Sequence, residues 1–183
     1  MRWPRVPLAE LAEVVRGVTF KKGDAFDAPL PHSLPVLRAG NIAGSLELES
    51  GLVWLADEMV SPAQRLVEGD IVMCASSGSA DVVGKSARLD RPWQGTFGAF
   101  CVAIRAMPNA CDPEYLAHFF RSAGFRVWSR ASAGANIKNI RKSELQDYPI
   151  PFPPLEEQRR IVDVLNRAAR VERLRARADA ALR

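Results

Sequence analysis

The sequence predicts an α+β fold with a mixed sheet, followed by a long C-terminal coiled-coil helix. Short apolar runs, separated by Gly, Pro and Asn, fill the chain up to residue 148, as is typical of strands between turns. From Leu155 onwards, apolar residues recur every three or four positions, as is typical of a helix that packs on another helix. We therefore divide the chain into a domain (1–148), a proline-rich connector (149–154) and a helix (155–183).

The first part of the domain is predicted to contain one short helix and several strands. Residues 8–15 carry leucine and valine at helical spacing, and Gly17 follows, which predicts a short helix that stops there. Four later apolar runs have the length of a strand and a turn signal beside them. These predicted strands cover residues 35–38, 52–55, 70–74 and 96–104.

A second helix is predicted to begin at residues 112–114, Asp-Pro-Glu. Asp is a favoured N-cap, Pro suits the first helical position, and an acid is stabilised at the positive end of a helix. Apolar residues within 116–123 follow at i, i+3, i+4 and i+7, which predicts one buried face. Arg121 and Arg126 are assigned to the solvated face, and His118 to a packed or half-exposed position.

The connector and the C-terminal helix are predicted from proline content and periodicity. Alternating prolines in 149–154 remove backbone donors and favour extended angles, which predicts a rigid, non-helical connector. If 155–183 is helical throughout, it is about 43 Å long, at about 1.5 Å per residue, and cannot bury its apolar stripe against a small domain. We expect a partner helix to cover the stripe, and the alternative is a terminal helix packed on its own domain. The stripe comprises Ile161, Val164, Leu165, Ala168, Val171, Leu174, Ala178 and Leu182.

Charge and cysteine content limit the function classes. The net charge of +4 permits an anionic partner, and residues 115–143 contain six Lys or Arg but no Asp or Glu. The cysteines Cys74, Cys101 and Cys111 lack the close spacing of metal ligands, so we expect free buried thiols in a reducing compartment. The sequence shows neither a signal peptide nor a membrane-spanning apolar run, so we expect a cytoplasmic protein.

Candidate DNA contacts are predicted from residue type. Duplex DNA is held through its phosphates by Lys, Arg, hydroxyls and backbone amides, and its bases are read by Arg, Lys, Asn and Gln. Four phosphate contacts would give a slope of log affinity against log salt of about −3.6. For Asn136, a structural role in a turn is as well supported as a contact with DNA. The candidates, which lie near glycines or in the acid-free segment, are Lys21, Lys22, Arg38, Asn41, Ser77, Ser79, Lys85, Arg130, Asn136, Lys138, Asn139, Arg141 and Lys142.

The order of short motifs along the chain resembles one family. The motifs are Trp3-Pro-Arg-Val-Pro-Leu-Ala-Glu-Leu-Ala-Glu-Val14 with Gly17-Val-Thr19, Pro35-Val-Leu-Arg-Ala-Gly-Asn-Ile42, Leu66-Val-Glu-Gly-Asp-Ile-Val72 with Ser77-Gly-Ser79 and Gly84-Lys85, Tyr115-Leu-Ala-His-Phe-Phe120, Gly134-Ala-Asn-Ile137, and Pro151-Phe-Pro-Pro-Leu-Glu-Glu-Gln158. Together they resemble one half of the DNA specificity subunit of type I restriction-modification enzymes, with one target-recognition domain and one conserved helical region.

This resemblance implies a non-catalytic subunit that binds double-stranded DNA and needs no cofactor of its own. The domain 1–148 would grip half of a bipartite site, and the helix would set the half-site spacing. The implied partners are a methylation subunit, which transfers a methyl group from S-adenosylmethionine to adenine N6, and an ATP-dependent restriction subunit. Family members carry two such domains and two helices. We therefore expect a two-fold homodimer on an inverted repeat, with a truncated product or a different second half as alternatives.

Enzymatic alternatives fit the residues less well. Residues 78–86 resemble a P-loop, but five residues instead of four separate Gly78 from Gly84. Residues 151–154 lack the leading Asp or Asn of an adenine methyltransferase motif, and a hydrolase using Ser77 or Cys74 has no nucleophile-elbow motif. The remaining alternative is a coiled-coil protein–protein adaptor that does not bind specific DNA, which salt-dependent DNA binding would distinguish.

Overall fold

The computed structural model describes residues 3–132 and 138–181. The helices are α1 (Pro113–Arg121), α2 (Ala123–Ser132), α3 (Lys142–Gln146) and α4 (Leu155–Ala181), and short 3-10 helices lie between strands. The strands are β1 (Arg5–Pro7), β2 (Ala12–Arg16), β3 (Ser33–Leu37), β4 (Val53–Ala56), β5 (Ile71–Cys74), β6 (Ser76–Ser77), β7 (Ser86–Arg88), β8 (Thr96–Phe97), β9 (Cys101–Ala106), β10 (Lys138–Asn139) and β11 (Pro149–Pro151).

An antiparallel sheet in the order β2-β9-β5-β7 forms the centre of the domain. Side chains alternate along β5, so Ile71 and Met73 join one apolar cluster while Val72 and Cys74 join another. The first cluster includes residues of α1, α2 and α4, and the second includes residues of β3 and β8. Because both faces are covered, the run 71–74 is apolar at every position.

The second sheet is mixed, which confirms the predicted fold class. Strand β3 pairs antiparallel with β4 and parallel with β8. The sheet meets the end of β2 where the Val18 N–H donates to the Phe97 carbonyl at 2.8 Å. A side chain at Gly17 would overlap the backbone of Gly98, so this close approach requires glycine.

The predicted helix over residues 8–15 is wrong. Residues 8–10 form a 3-10 turn, and β2 follows and pairs with β9. Val14 belongs to the first apolar cluster and Val15 to the second, because the strand is buried on both faces. Adjacent buried valines, together with the leucines of the preceding turn, produce a spacing that resembles a helix.

The other predicted strands and the start of α1 are confirmed, with one difference. Strands β3, β4 and β5 lie where the apolar runs predict them, but the run 96–104 forms two strands, β8 and β9, separated by a turn. Asp112 caps α1, and its carboxylate accepts hydrogen bonds from the N–H groups of Glu114 at 2.8 Å and Tyr115 at 3.2 Å.

The proline-rich connector is extended, as predicted, and is fixed to the domain. Strand β11 pairs antiparallel with β1, and Val6 lies opposite Ile150. Ile150 is buried in the first apolar cluster. The Tyr115 hydroxyl donates to the Pro151 carbonyl at 2.7 Å, which attaches the connector to α1. The connector is therefore part of the domain surface and fixes the start of α4.

The first turns of α4 pack on the domain, and the rest extends beyond it. Gln158 is fully buried: its Nε2 donates to the Pro153 carbonyl at 2.9 Å, and its Oε1 accepts from the Asp112 N–H at 2.9 Å. One turn further, Val162 is buried in the first cluster. Asn166 makes the last of these contacts, because its Nδ2 donates to the Glu114 carboxylate at 2.9 Å.

Within the described ranges, no helix combines the length and the apolar character needed to cross a membrane.

Candidate nucleic-acid interface

Two segments that are distant in the sequence meet at a small two-stranded ribbon. Strands β6 and β10 pair antiparallel, with Ser77 opposite the Lys138 position and Ser76 opposite Asn139. The ribbon is anchored by Ile140, which is buried and whose N–H donates to the Ala75 carbonyl at 2.8 Å. The structure therefore brings three predicted DNA-contact positions together, one before and two after the helices α1 and α2.

Phe100 lies beside this ribbon, and sequence reasoning missed it. Its carbonyl accepts hydrogen bonds from the N–H groups of Ala75 at 2.9 Å and Ser76 at 3.0 Å. Its side chain is 69% exposed, the largest exposed fraction among the large apolar side chains that the structure describes. Nucleic-acid bases stack on exposed aromatic rings of this kind. The only sequence signal was Gly98, which interrupts the apolar run and indicates a turn.

Phe100 also lines a cleft that contains three further predicted residues, Lys22, Arg38 and Asn41. The cleft has a volume of about 980 Å³, and Lys22 and Arg38 lie on its wall. The Arg38 guanidinium is exposed and donates to the Gly51 carbonyl at 3.0 Å, which fixes its position. Asp27 and Glu47 line the cleft as well, so its charge is mixed. Lys21 is exposed on the neighbouring 3-10 turn but does not line the cleft.

Asn41 holds the backbone of its own loop together. It is only 4% exposed, and its Oδ1 accepts from the Arg38 N–H at 2.9 Å. Its Nδ2 donates to the Ser50 carbonyl at 2.9 Å and more weakly to Glu47. The hydrogen bonds of this buried amide hold the loop closed. Few of its donor and acceptor sites remain for a contact with DNA.

The loop between β6 and β7 is held against α2. Arg126 donates to the carbonyls of Asp81 and Val83, both at 2.8 Å. Arg126 is therefore not on a solvated helix face, and that prediction is wrong. Burial and the neighbouring Arg130 lower the pKa of its guanidinium. Arg130 forms an exposed ion pair with Asp81 at 3.2 Å, so its predicted DNA contact would compete with this partner.

Other predicted positions of this region are exposed to different degrees. Ser79 and Lys85 are exposed, and the Ser79 N–H donates to the Ser77 Oγ at 3.2 Å. Arg141 is exposed and forms an ion pair with Glu144 at 3.9 Å, while Lys142 begins α3 and is half-buried. Asn136 lies outside the described residues.

Helix α4 carries the predicted apolar stripe, and most of it is uncovered. Val164, Leu165, Val171 and Leu174 are between 41% and 59% exposed. Ile161 departs from the prediction, because it packs against the apolar cluster of its own domain. Leu182 lies outside the described residues. His118 is half-buried, as predicted, and its Nε2 hydrogen-bonds to the Asn166 Oδ1 at 2.9 Å.

The three cysteines are buried and free, as predicted. Burial raises the pKa of the Cys101 and Cys111 thiols to about 12. Burial also raises the pKa of the Cys74 thiol. A buried thiol that stays protonated is a poor nucleophile, so the geometry gives no support to a Cys74-dependent hydrolase.

The chain is similar to known specificity proteins over nearly its whole length. Residues 2–177 match the family described as type I restriction modification DNA specificity domain. The specificity subunit of the type I restriction enzyme StySPI from Salmonella potsdam is 38% identical over 97% of this chain. That of EcoKI from Escherichia coli K12 is 37% identical over 96% of the chain. In each case the match spans only 38% of the relative's own length.

A solved structure shows the same fold. The HsdS subunit from Thermoanaerobacter tengcongensis superposes with a TM-score of 0.72 at 20% identity, covering 96% of this chain and 39% of that one. The extent of the family match and the identity to the two curated relatives agree with the motif order along the sequence. This chain therefore belongs to the family of type I restriction modification DNA specificity domains.

Proposed function

We propose that this chain is a non-catalytic DNA-recognition module of a type I-like restriction-modification system, acting in the cytoplasm. The observation that carries the proposal is the β6–β10 ribbon beside Phe100. There, strand positions of two distant segments that carry hydroxyl and amide side chains lie beside the backbone of Phe100, whose ring is exposed. Phosphate contacts hold a protein on duplex DNA, whereas side chains of these types read base edges.

The proposed DNA surface consists of the ribbon, Phe100 and the side chains of Lys22, Arg38 and Lys85. Lys22 and Arg38 share the cleft wall with Phe100. Lys85 is joined to the ribbon through β5, because its carbonyl accepts from the Cys74 N–H at 2.9 Å. Asn41 supports the Arg38 loop from inside the domain.

Salt dependence of binding to duplex DNA tests this proposal. If four cationic side chains neutralise phosphates, log affinity falls with log salt at a slope of about −3.6. Fluorescence anisotropy with a labelled duplex pool, measured at several salt concentrations, gives this slope. Negligible binding even at low salt would contradict DNA recognition and favour the coiled-coil adaptor.

Helix α4 supplies the second part of the proposal, a two-fold homodimer. The stripe from Val164 to Leu174 stays exposed, although burying such side chains is favourable. Residues 155–167 carry balanced charge, whereas 168–181 carry an excess of Arg. An antiparallel second copy places the basic half of one helix beside the balanced half of the other and so avoids like-charge contact.

A symmetric dimer would recognise two inverted copies of one short sequence at a fixed separation. Selection of bound duplexes from a random pool tests this, since an asymmetric bipartite site would contradict the homodimer. We further propose that a methylation subunit, which modifies adenine N6 using S-adenosylmethionine, assembles on this scaffold, and that a restriction subunit can join it. Co-purification of the chain with an adenine methyltransferase is the corresponding measurement.

A further inference from the structure

A second, smaller cleft lies where the loop 78–85 meets the helices. Its volume is about 490 Å³. One wall is formed by Gly84, Lys85 and Ser86, and the other by Arg121 and Arg126 at the junction of α1 and α2. We call it the basic cleft. It does not include the ribbon, Phe100 or the cleft lined by Lys22 and Arg38.

All charged residues that line the basic cleft are cationic. They are Lys85, Arg121 and Arg126, and no carboxylate contributes to the wall. The acid of the adjacent loop, Asp81, forms an ion pair with Arg130 outside the cleft. Within residues 3–132 and 138–181, neither Lys85 nor Arg121 forms an ion pair. Three cations around one concavity whose wall contains no carboxylate favour an anionic ligand.

The guanidinium of Arg126 is fixed in place before any ligand binds. Two of its N–H groups donate to the carbonyls of Asp81 and Val83 at 2.8 Å. A guanidinium has five N–H donors, so others remain for a ligand. Gly84, with φ of 76°, lets the loop backbone approach closely, because a side chain there would overlap Ser129.

Ser86 also lines the cleft and carries a buried hydroxyl. It is 6% exposed, and its Oγ has no hydrogen-bond partner among the described residues. Buried hydroxyls are normally paired, so an unpaired one in a residue of the cleft wall is unusual. Gly84-Lys85-Ser86 has the composition of a P-loop end but leads into β7 instead of a helix, so the phosphate-binding nest of a P-loop does not form.

We propose that the basic cleft binds one phosphoryl group, held by Arg121, Lys85 and the fixed guanidinium of Arg126. Planar guanidinium groups bind phosphate oxygens with paired, charge-assisted hydrogen bonds, and lysine adds a point charge. The phosphoryl group belongs either to the DNA backbone or to a free phosphorylated molecule. The first case rests on the proposed function, and the second does not.

The test uses the full chain with Arg121→Gln, because Lys85 already belongs to the DNA surface proposed above. The Arg121 side chain is exposed and makes no side-chain hydrogen bond within the described residues, so the fold is retained, as circular dichroism would verify. Arg126 is left intact because it holds the loop. Arg159→Gln is the matched control, since Arg159 is another exposed helical arginine without an ion pair in the described part of the chain.

Two measurements distinguish the sources of the phosphoryl group. If the cleft binds a DNA phosphate, Arg121→Gln makes the slope of log affinity against log salt less steep by about 0.9, and Arg159→Gln does not. If the ligand is free, inorganic phosphate shifts the amide NMR signals of residues 84–86 in a saturable manner, chloride at equal ionic strength does not, and Arg121→Gln weakens the phosphate-dependent shift.

Either result supports the site, and failure of both overturns it. If the unaltered chain does not bind DNA at all, the proposed function fails. The phosphate titration then decides this inference independently.

Discussion

The Gln158 side chain at the base of α4 accepts a 2.9 Å hydrogen bond from the backbone N–H of Asp112, the residue that caps α1. The same amide donates to the Pro153 carbonyl at 2.9 Å, so one buried side chain joins the C-terminal helix, the connector and the start of α1. The direction in which α4 leaves the domain therefore depends on a polar contact inside the apolar core.

Replacing Gln158 with methionine should destabilise the domain. The change keeps the side-chain volume but leaves the Asp112 N–H and the Pro153 carbonyl buried without partners, at a cost of about 2 kcal/mol. Urea unfolding followed by circular dichroism measures the free energy of unfolding. Gln94→Met is the control, because Gln94 is exposed. Equal and small losses in both variants would show that the buried contact contributes little.

Replacing Phe100 with alanine should weaken DNA binding without destabilising the fold. The ring is mostly exposed, so its removal leaves no cavity, whereas stacking on a base or insertion at a base step would be lost. We expect the affinity to fall about tenfold, equivalent to about 1.4 kcal/mol. Val67→Ala, another exposed apolar residue, is the control in the same anisotropy assay. Unchanged affinity in Phe100→Ala would remove Phe100 from the proposed surface.

Replacing Leu165 and Val171 with serine should convert the proposed dimer to a monomer. Both side chains lie on the exposed stripe of α4, and the double change removes apolar area from a helix pair without touching the base of the helix. Analytical ultracentrifugation over a range of concentrations measures the mass. Val127→Ser, on the exposed face of α2, should leave the mass unchanged. A monomeric unaltered chain, or a dimer that survives the double change, would contradict the helix-mediated dimer.

The free energy of unfolding should decrease as the pH rises above about 9. The pKa of the Cys101 and Cys111 thiols rises from an ordinary 9.0 to about 12 in the folded chain, because burial disfavours the thiolate. The stabilising contribution is complete below pH 9 and is lost as the pH approaches 12, because unfolding then releases protons.

Urea unfolding at about pH 8 and about pH 10 measures this decline. It should be shallower in a variant with both cysteines replaced by alanine. Tyr115 contributes in the same direction, since burial raises its pKa from 10.0 to about 12, so part of the decline should remain. An identical decline in the variant and in the unaltered chain would exclude the thiols as its source.

Local sequence signals predicted the elements that depend on local chemistry. Asp112 followed by Pro113 marked the start of α1, because a cap and a fixed φ act on neighbouring residues only. The prolines of 149–154 and the periodicity from Leu155 likewise marked the connector and α4. The helix expected over 8–15 failed because spacing alone does not distinguish a helix from a strand buried on both faces.

The candidate site was less predictable, because its geometry depends on tertiary contacts. Residue type selected Ser77 and Lys138, but only the packing of α1 and α2 between them places the two positions opposite each other. Arg126 looked like a surface cation in sequence, and its carbonyl partners lie in a loop more than forty residues earlier. Phe100 was hidden within an apolar run whose turn was signalled only by Gly98.

The pairing of β1 with β11 makes the angle between the domain and α4 a property of the folded body instead of a free joint. In a two-fold assembly, the distance between two recognition surfaces would then depend on the length of α4 and on this angle. Residues of the ribbon could change without altering that distance, because β6 and β10 pair with each other and not with β1 or β11. Which sequence is bound and how far apart its halves lie would be two independently adjustable properties of one short chain.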